Sequence, residues 1–222
     1  MKLDKSARLF YNLEKTIDNG GIMKTYIIKK TSDISLANVD YVNTWRWGKD
    51  YTPVCPFRAV HTDDSLIISL RCYEKEPYAA VTKKNGYVCN DSCLEFFFSP
   101  SEDNSEGYFN FEVNANPTYL FGFNPVGGKE EYIEWDDSEY DLKSTTGKDE
   151  NGDFWQIDFT LPYALIKKYV PEASLESGSI MRGNVYKCGK HGQIEHYGTW
   201  SPVETDGPNF HKPEFYGKFI IE

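Results

Sequence analysis

Two stretches of this chain alternate with a period of two, and they constrain the fold more than anything else in it. Cys93-Leu-Glu-Phe-Phe-Phe98 puts Leu94, Phe96 and Phe98 on one side and Cys93, Glu95 and Phe97 on the other. Tyr108-Phe-Asn-Phe-Glu-Val-Asn114 sets Phe109, Phe111 and Val113 against Tyr108, Asn110, Glu112 and Asn114. That period belongs to β-strands and not to helices. The Phe and Val faces account for core burial. The opposite faces carry rings, carboxylates and amides instead of the usual Lys, Thr and Ser of a solvated sheet. Such a set can both stack on and hydrogen-bond a polyhydroxylated ligand.

Further strand-like runs follow along the chain: Tyr26–Lys30, Phe57–His61, Ser65–Tyr73, Tyr119–Phe123, Phe154–Leu161, Asn184–Cys188, Tyr197–Trp200 and Lys218–Ile221. Turn residues separate them, including Thr62-Asp-Asp64 and the hairpin signal Glu150-Asn-Gly152. Residues 129–152 are acidic and read as irregular. Pro162 opens one short helix over Tyr163–Tyr169. About ten strands and one helix predict an all-β, antiparallel two-sheet β-sandwich of the jelly-roll or immunoglobulin-like kind.

With 222 residues, 16% of them aromatic, the chain can bury a sizeable single core. Its net charge of -10 disfavours nucleic acid and anionic membrane surfaces as partners. No apolar run reaches the roughly 20 residues of a membrane span. The first 21 residues carry charges throughout and lack the apolar segment of a secretory signal, so the default expectation is a cytoplasmic protein. Residues 1–23 are expected to be a loosely ordered extension, with Met23 an alternative start, and residues 24–222 the domain. Five cysteines, Cys55, Cys72, Cys89, Cys93 and Cys188, cannot all pair within one chain, and free thiols are the simpler expectation.

Four blocks carry a resemblance to a known family. They are Asp91-Ser-Cys-Leu-Glu-Phe-Phe-Phe-Ser-Pro100, Tyr108–Asn114, Trp155-Gln-Ile-Asp-Phe-Thr-Leu-Pro162, and Trp200-Ser-Pro202 with Asn209-Phe-His-Lys-Pro213 and Tyr216-Gly-Lys-Phe219. In that order the chain resembles family 9 carbohydrate-binding modules, in particular stand-alone bacterial domains of that kind, over roughly residues 24–222. The resemblance implies a jelly-roll-like sandwich that binds a sugar end without catalysing a reaction. Two aromatic rings would clamp the sugar, with charged and amide side chains on its hydroxyls and calcium as a possible structural ion. Glu95, Glu112 and Asn114 match the polar positions, and Phe210, beside His211, matches the second clamp ring. Where the family has its first clamp tryptophan this chain has Val88, with Tyr87 adjacent.

The candidate ligand-binding set is therefore Tyr87, Glu95, Asn110, Glu112, Asn114, Phe210 and His211. Mono- or oligosaccharides would be the ligands and glycan-degrading enzymes the protein partners. Trp45, Trp47 and Tyr51 are further candidates for stacking. Trp45 and Trp47, two apart, should share a strand face, whereas Trp155 and Trp200 read as core. Arg58, Arg71 and Arg182 could bridge Glu95 or Glu112, or form ordinary ion pairs. Cys188, His191 and His196 are of zinc-ligating types, and Asp63, Asp64 or Asp91 could hold calcium. Paired Glu95 and Glu112 also admit a glycoside hydrolase or an accessory domain of one.

Overall fold

The computed structural model describes residues 17, 18, 21–48, 50–134, 140–191 and 194–222. The strands in chain order are β1 (Ile17–Asp18), β2 (Gly21–Ile22), β3 (Thr25–Lys30), β4 (Asp40–Val42), β5 (Thr44–Trp47), β6 (Cys55–His61), β7 (Ser65–Cys72) and β8 (Ser92–Ser99). They continue with β9 (Tyr108–Asn114), β10 (Tyr119–Asn124), β11 (Glu131–Tyr132), β12 (Lys143–Asp149) and β13 (Gly152–Pro162). The helix α1 (Tyr163–Tyr169) follows, then β14 (Ile180–Gly189), β15 (His196–Thr199) and β16 (Gly217–Ile221). Of the expected N-terminal extension, residues 1–16, 19 and 20 lie outside the described residues. β1 and β2 pair with each other in a ladder of their own.

The helix spans the expected residues. Pro162 precedes it with the extended backbone that ends β13, and Lys167 and Lys168 lie in its last turn, where cations meet the negative end of the helix dipole. Glu150–Gly152 turns β12 into β13 as a hairpin, with Gly152 at φ +125°, a region costly for any residue with a Cβ. The segment expected to be irregular, residues 129–152, instead contributes β11 and β12. These are short or exposed strands whose polar side chains give little periodic signal.

One path of hydrogen-bonded strands runs β11-β10-β9-β8-β14-β16-β3-β6-β7-β13-β12. The expectation of a purely antiparallel arrangement is corrected here, because β3 runs parallel to both of its neighbours, β16 and β6. Alternation specifies which side of a strand is buried, not the direction of the strand beside it. The path curls until its two arms touch: Phe159 of β13 packs 4.4 Å from Phe111 of β9 and 6.4 Å from Phe96 of β8. Leu94, Phe96, Phe98, Phe109, Phe111 and Val113 all join this main core, with Trp155 and Trp200 fully buried in it. Each such side chain contributes roughly 1.5–3 kcal/mol of burial free energy.

The other face of β8 and β9 is not solvated either. Cys93 and Phe97 belong to a second, smaller apolar cluster with Val88, Tyr186, Cys188, Val203, Phe210 and Tyr216. The segments after β7 and after β15 cover this face, so every residue of β8 is buried. Among the described residues no helix is long and apolar enough to cross a membrane.

Candidate functional site

Glu95 and Glu112 are direct cross-strand neighbours on β8 and β9. Both point into the second cluster, and both are nearly sealed from water, at 2% and 4% exposure. Burial dominates their protonation. It pushes the Glu95 carboxyl well above its ordinary range, with Cys188 and Glu112 adding to the rise. The Glu112 carboxyl rises to about 7 for the same primary reason, although a hydrogen bond from Asn110 opposes the shift. No lysine or arginine among the described residues reaches either carboxyl; the nearest basic atom is His211 Nε2, 4.0 Å from Glu112 Oε1. Burial lowers His211 too, and its Nδ1 meets the Tyr108 hydroxyl at 2.9 Å.

Each carboxyl is anchored through one oxygen only. Asn110 Nδ2 donates to Glu112 Oε1 at 3.0 Å, and Cys188 Sγ lies in hydrogen-bond contact with Glu95 Oε1 at 3.1 Å. No protein donor or acceptor among the described residues meets the second oxygen of either group. Both residues line a cavity of about 580 Å³. Tyr87, 72% exposed, and Tyr132, 49% exposed, line the same cavity as exposed rings. Phe210 also lines it, and its ring stacks on Tyr186 at 4.1 Å. Two poised carboxyls under aromatic rings form a pocket that can exchange hydrogen bonds with hydroxyls and stack on a flat apolar surface.

Of the residues expected at the site, the structure brings Tyr87, Glu95, Glu112, Phe210 and His211 to this cavity. Asn110 lies behind it, fully buried, joining Glu112 to Glu130 with 3.0 Å bonds and accepting from Asn124. Asn114 is not brought there. Its amide donates to the Val81 carbonyl and to Asp91, and its oxygen accepts from Asn116 and Thr118, which uses its capacity within the fold. Val88 is fully buried, so the ring that reaches the mouth is its neighbour Tyr87.

The other candidates separate. Trp45 packs on the main core and Trp47 on the second cluster, which corrects their expected common face; β5 breaks register against β15 between them. Arg71 pairs with Asp149 at 3.1 Å and lies over the Phe154 ring, away from Glu95 and Glu112, and Arg182 donates to the Glu102 carbonyl. Cys188, His191 and His196 do not converge. Cys188 lines the cavity just described, whereas the histidines line another of about 600 Å³, together with Tyr51, Glu74 and Ser92. Both His196 nitrogens are engaged there, by the Ile194 carbonyl and by Lys187 Nζ. Asp63 pairs with Lys30, Asp64 closes a turn with Thr62 and Ser65, and Asp91 accepts from Val81 and Asn114, so each is engaged within the fold.

Sequence reasoning missed Glu130 and Tyr132. Their signal was weak: a Glu-Glu-Tyr run inside a stretch that looked irregular. Gly122 makes room for Glu130, since a Cβ there would lie 2.5 Å from Glu130 Oε1 and 2.7 Å from Asn110 Oδ1.

Residues 24–221 match the family model described as carbohydrate-binding family 9. The chain belongs to that family. A presumed carbohydrate-binding protein from Bacteroides uniformis is 25% identical, with a TM-score of 0.73 over 90% of this chain and 100% of that one. A carbohydrate-binding module family 9 structure from Caldicellulosiruptor kristjanssonii in complex with glucose is similar at 11% identity, with a TM-score of 0.59 over 90% of this chain and 96% of that one. Another from the same organism, in complex with cellotriose, is 10% identical with a TM-score of 0.58, covering 90% and 94%. These last two likenesses concern the fold. None of the curated proteins matches the chain. The five family 9 site expectations gathered at one cavity thus sit on a scaffold of matching fold.

Proposed function

We propose that this family 9 chain is a non-catalytic carbohydrate-binding protein whose ligand, a mono- or oligosaccharide, occupies the cavity above Glu95 and Glu112. The observation that carries the reading is the pair of buried carboxyls that line one cavity, each with one oxygen bonded within the fold. Protonated Glu95 can donate as well as accept, and Glu112, poised near neutrality, can do either. Asn110 orients Glu112, Phe210 and Tyr87 supply apolar ring surface, and Tyr132 replaces part of what a clamp tryptophan would give. The family 9 relatives solved with glucose and cellotriose support a sugar as the ligand. Residues 24–222 are taken as the binding domain, and the curled ladder, with rings of β8 and β9 against β13, as a two-layer sandwich. Glycan-degrading enzymes, which create free sugar ends, are natural neighbours for such a domain.

The geometry favours binding over hydrolysis. A glycosidase places an acid and a second carboxylate on opposite sides of the scissile bond, with unequal pKa values. Glu95 and Glu112 stand side by side on one sheet face and both are pushed toward the neutral form.

A glycan array followed by calorimetry on its hits tests the proposal. One class of sugar should bind with 1:1 stoichiometry, and Glu112→Ala should weaken that binding by roughly 10- to 100-fold without unfolding the chain. Absence of binding to a broad panel at millimolar mono- and oligosaccharide would overturn it.

A further inference from the structure

Two of the five cysteines, Cys89 and Cys188, line this cavity, and Cys93 lies beside Cys188. Cys93 and Cys188 are direct cross-strand partners on β8 and β14, and Glu95, two residues along β8, lies on the same face. One ligand atom from each of Cys93, Glu95 and Cys188 falls within 4.8 Å of the other two, and all three residues are buried. Cys89 lines the same cavity, and its carbonyl lies 3.3 Å from Cys188 Sγ. Cys188 Sγ meets Glu95 Oε1 at 3.1 Å, and Cys93 Sγ lies 3.6 Å from the Leu94 carbonyl.

We propose that Cys93, Glu95 and Cys188 form a binding site for a thiophilic d10 divalent cation of the zinc class. Bonds of about 2.3 Å to sulfur and about 2.0–2.2 Å to oxygen set tetrahedral ligand atoms roughly 3.5–4 Å apart, so a small contraction of the cluster seats the ion. Two sulfurs and one carboxylate select a soft or borderline ion over calcium or magnesium. The ion takes the place of the protons these three groups hold between them, and those protons leave to solvent, with no change in oxidation state. Two thiolates and a carboxylate around a divalent ion leave one negative charge. Cys188 and Glu95 line the cavity, so the fourth coordination position opens toward it. This site stands on the thiol geometry and does not depend on the sugar reading.

The second thiol pair in the molecule is an internal control. Cys55 and Cys72 lie 3.3 Å apart, Sγ to Sγ, but their nearest carboxylate, Glu74, is already paired with Lys187. Titrating the reduced protein with cadmium should give a sulfur-to-metal charge-transfer band that saturates at one ion per chain, and zinc should displace it. Proton release should accompany binding, seen as a dependence of the calorimetric heat on buffer ionisation. The band should be lost in Cys93→Ser and Cys188→Ser, weaken at least tenfold in affinity in Glu95→Gln, and persist in Cys55→Ser. If a serine variant fails to fold, Glu95→Gln and a metal-dependent rise in wild-type Tm carry the test. No band at tenfold excess of cadmium, or one that survives in both Cys93→Ser and Cys188→Ser, overturns the proposal.

Discussion

Two largely enclosed carboxylates in this molecule, Glu74 and Glu95, each follow a cysteine by two residues and have opposite chemistry. Glu74 lies two residues after Cys72, and Glu95 two residues after Cys93, each cysteine facing another across the structure. Glu74 shares its burial with Lys187, which is wholly enclosed and lies 3.5 Å away, and it accepts further from Ser92 and from Trp155 at 3.1 Å. Burial would raise it, but the lysine and these donors win and hold it below its ordinary 4.5. Among the described residues Glu95 and Glu112 have no such cation, and the same burial drives them toward the neutral form. Burial alone does not decide ionisation; whether a counter-charge is buried alongside does.

The sharpest way to break this comparison is to remove the cation. Lys187→Met should leave Glu74 charged and uncompensated and cost about 3–5 kcal/mol in a denaturant titration. Glu95→Gln, which replaces an already neutral group, should change stability by less than about 1 kcal/mol. Similar losses in the two variants would show that the carboxyls do not differ as described.

The pH dependence of stability separates the two sites by sign. The pKa of Glu112 rises from 4.5 to about 7 on folding, so its contribution is complete below pH 4.5 and is lost as pH climbs to about 7. That loss is at most about 3 kcal/mol, and Glu112→Gln should flatten it. Glu74 is depressed, so its contribution is complete above 4.5 and falls away under acid. Thermal melts across pH 3–8 of both the wild type and Glu112→Gln would show whether the two slopes oppose each other.

At the ligand, Glu112→Ala should weaken sugar binding by roughly 10- to 100-fold, the scale of a lost hydrogen bond to a charged or poised group. Tyr87→Ala should cost roughly two- to tenfold in affinity, from lost ring contact, with no change in Tm because the ring is largely exposed. A Tyr87→Ala effect larger than that of Glu112→Ala would reverse the ranking of stacking and hydrogen bonding.

Much of this was legible in the residues. The alternation in 93–98 and 108–114 specified both the core face and the polar face, and Pro162 marked the helix start. How that polar face is covered was not legible, because periodicity separates two sides but does not say whether loops will cover the second. Val88, Val203 and Phe210 cover it from distant segments. Asn114 shares its strand face with Glu112, yet its position at the end of β9 commits its amide to the turn that follows. The parallel neighbours of β3, and the convergence of Cys93 with Cys188, depend on long-range pairing that no local pattern encodes.

That pairing also shapes how the chain must mature. β16 is bonded to β14 on one side and β3 on the other, and Lys218 meets Thr25 across nearly the whole sequence. During synthesis both arms of the ladder emerge before the strand that joins them, so β3 waits with an open parallel edge until residues 217–221 leave the ribosome. A contact of such sequence separation is slow to form and leaves apolar strands open to misassembly meanwhile. The joining strand is therefore the step at which expression yield, more than final stability, will be decided.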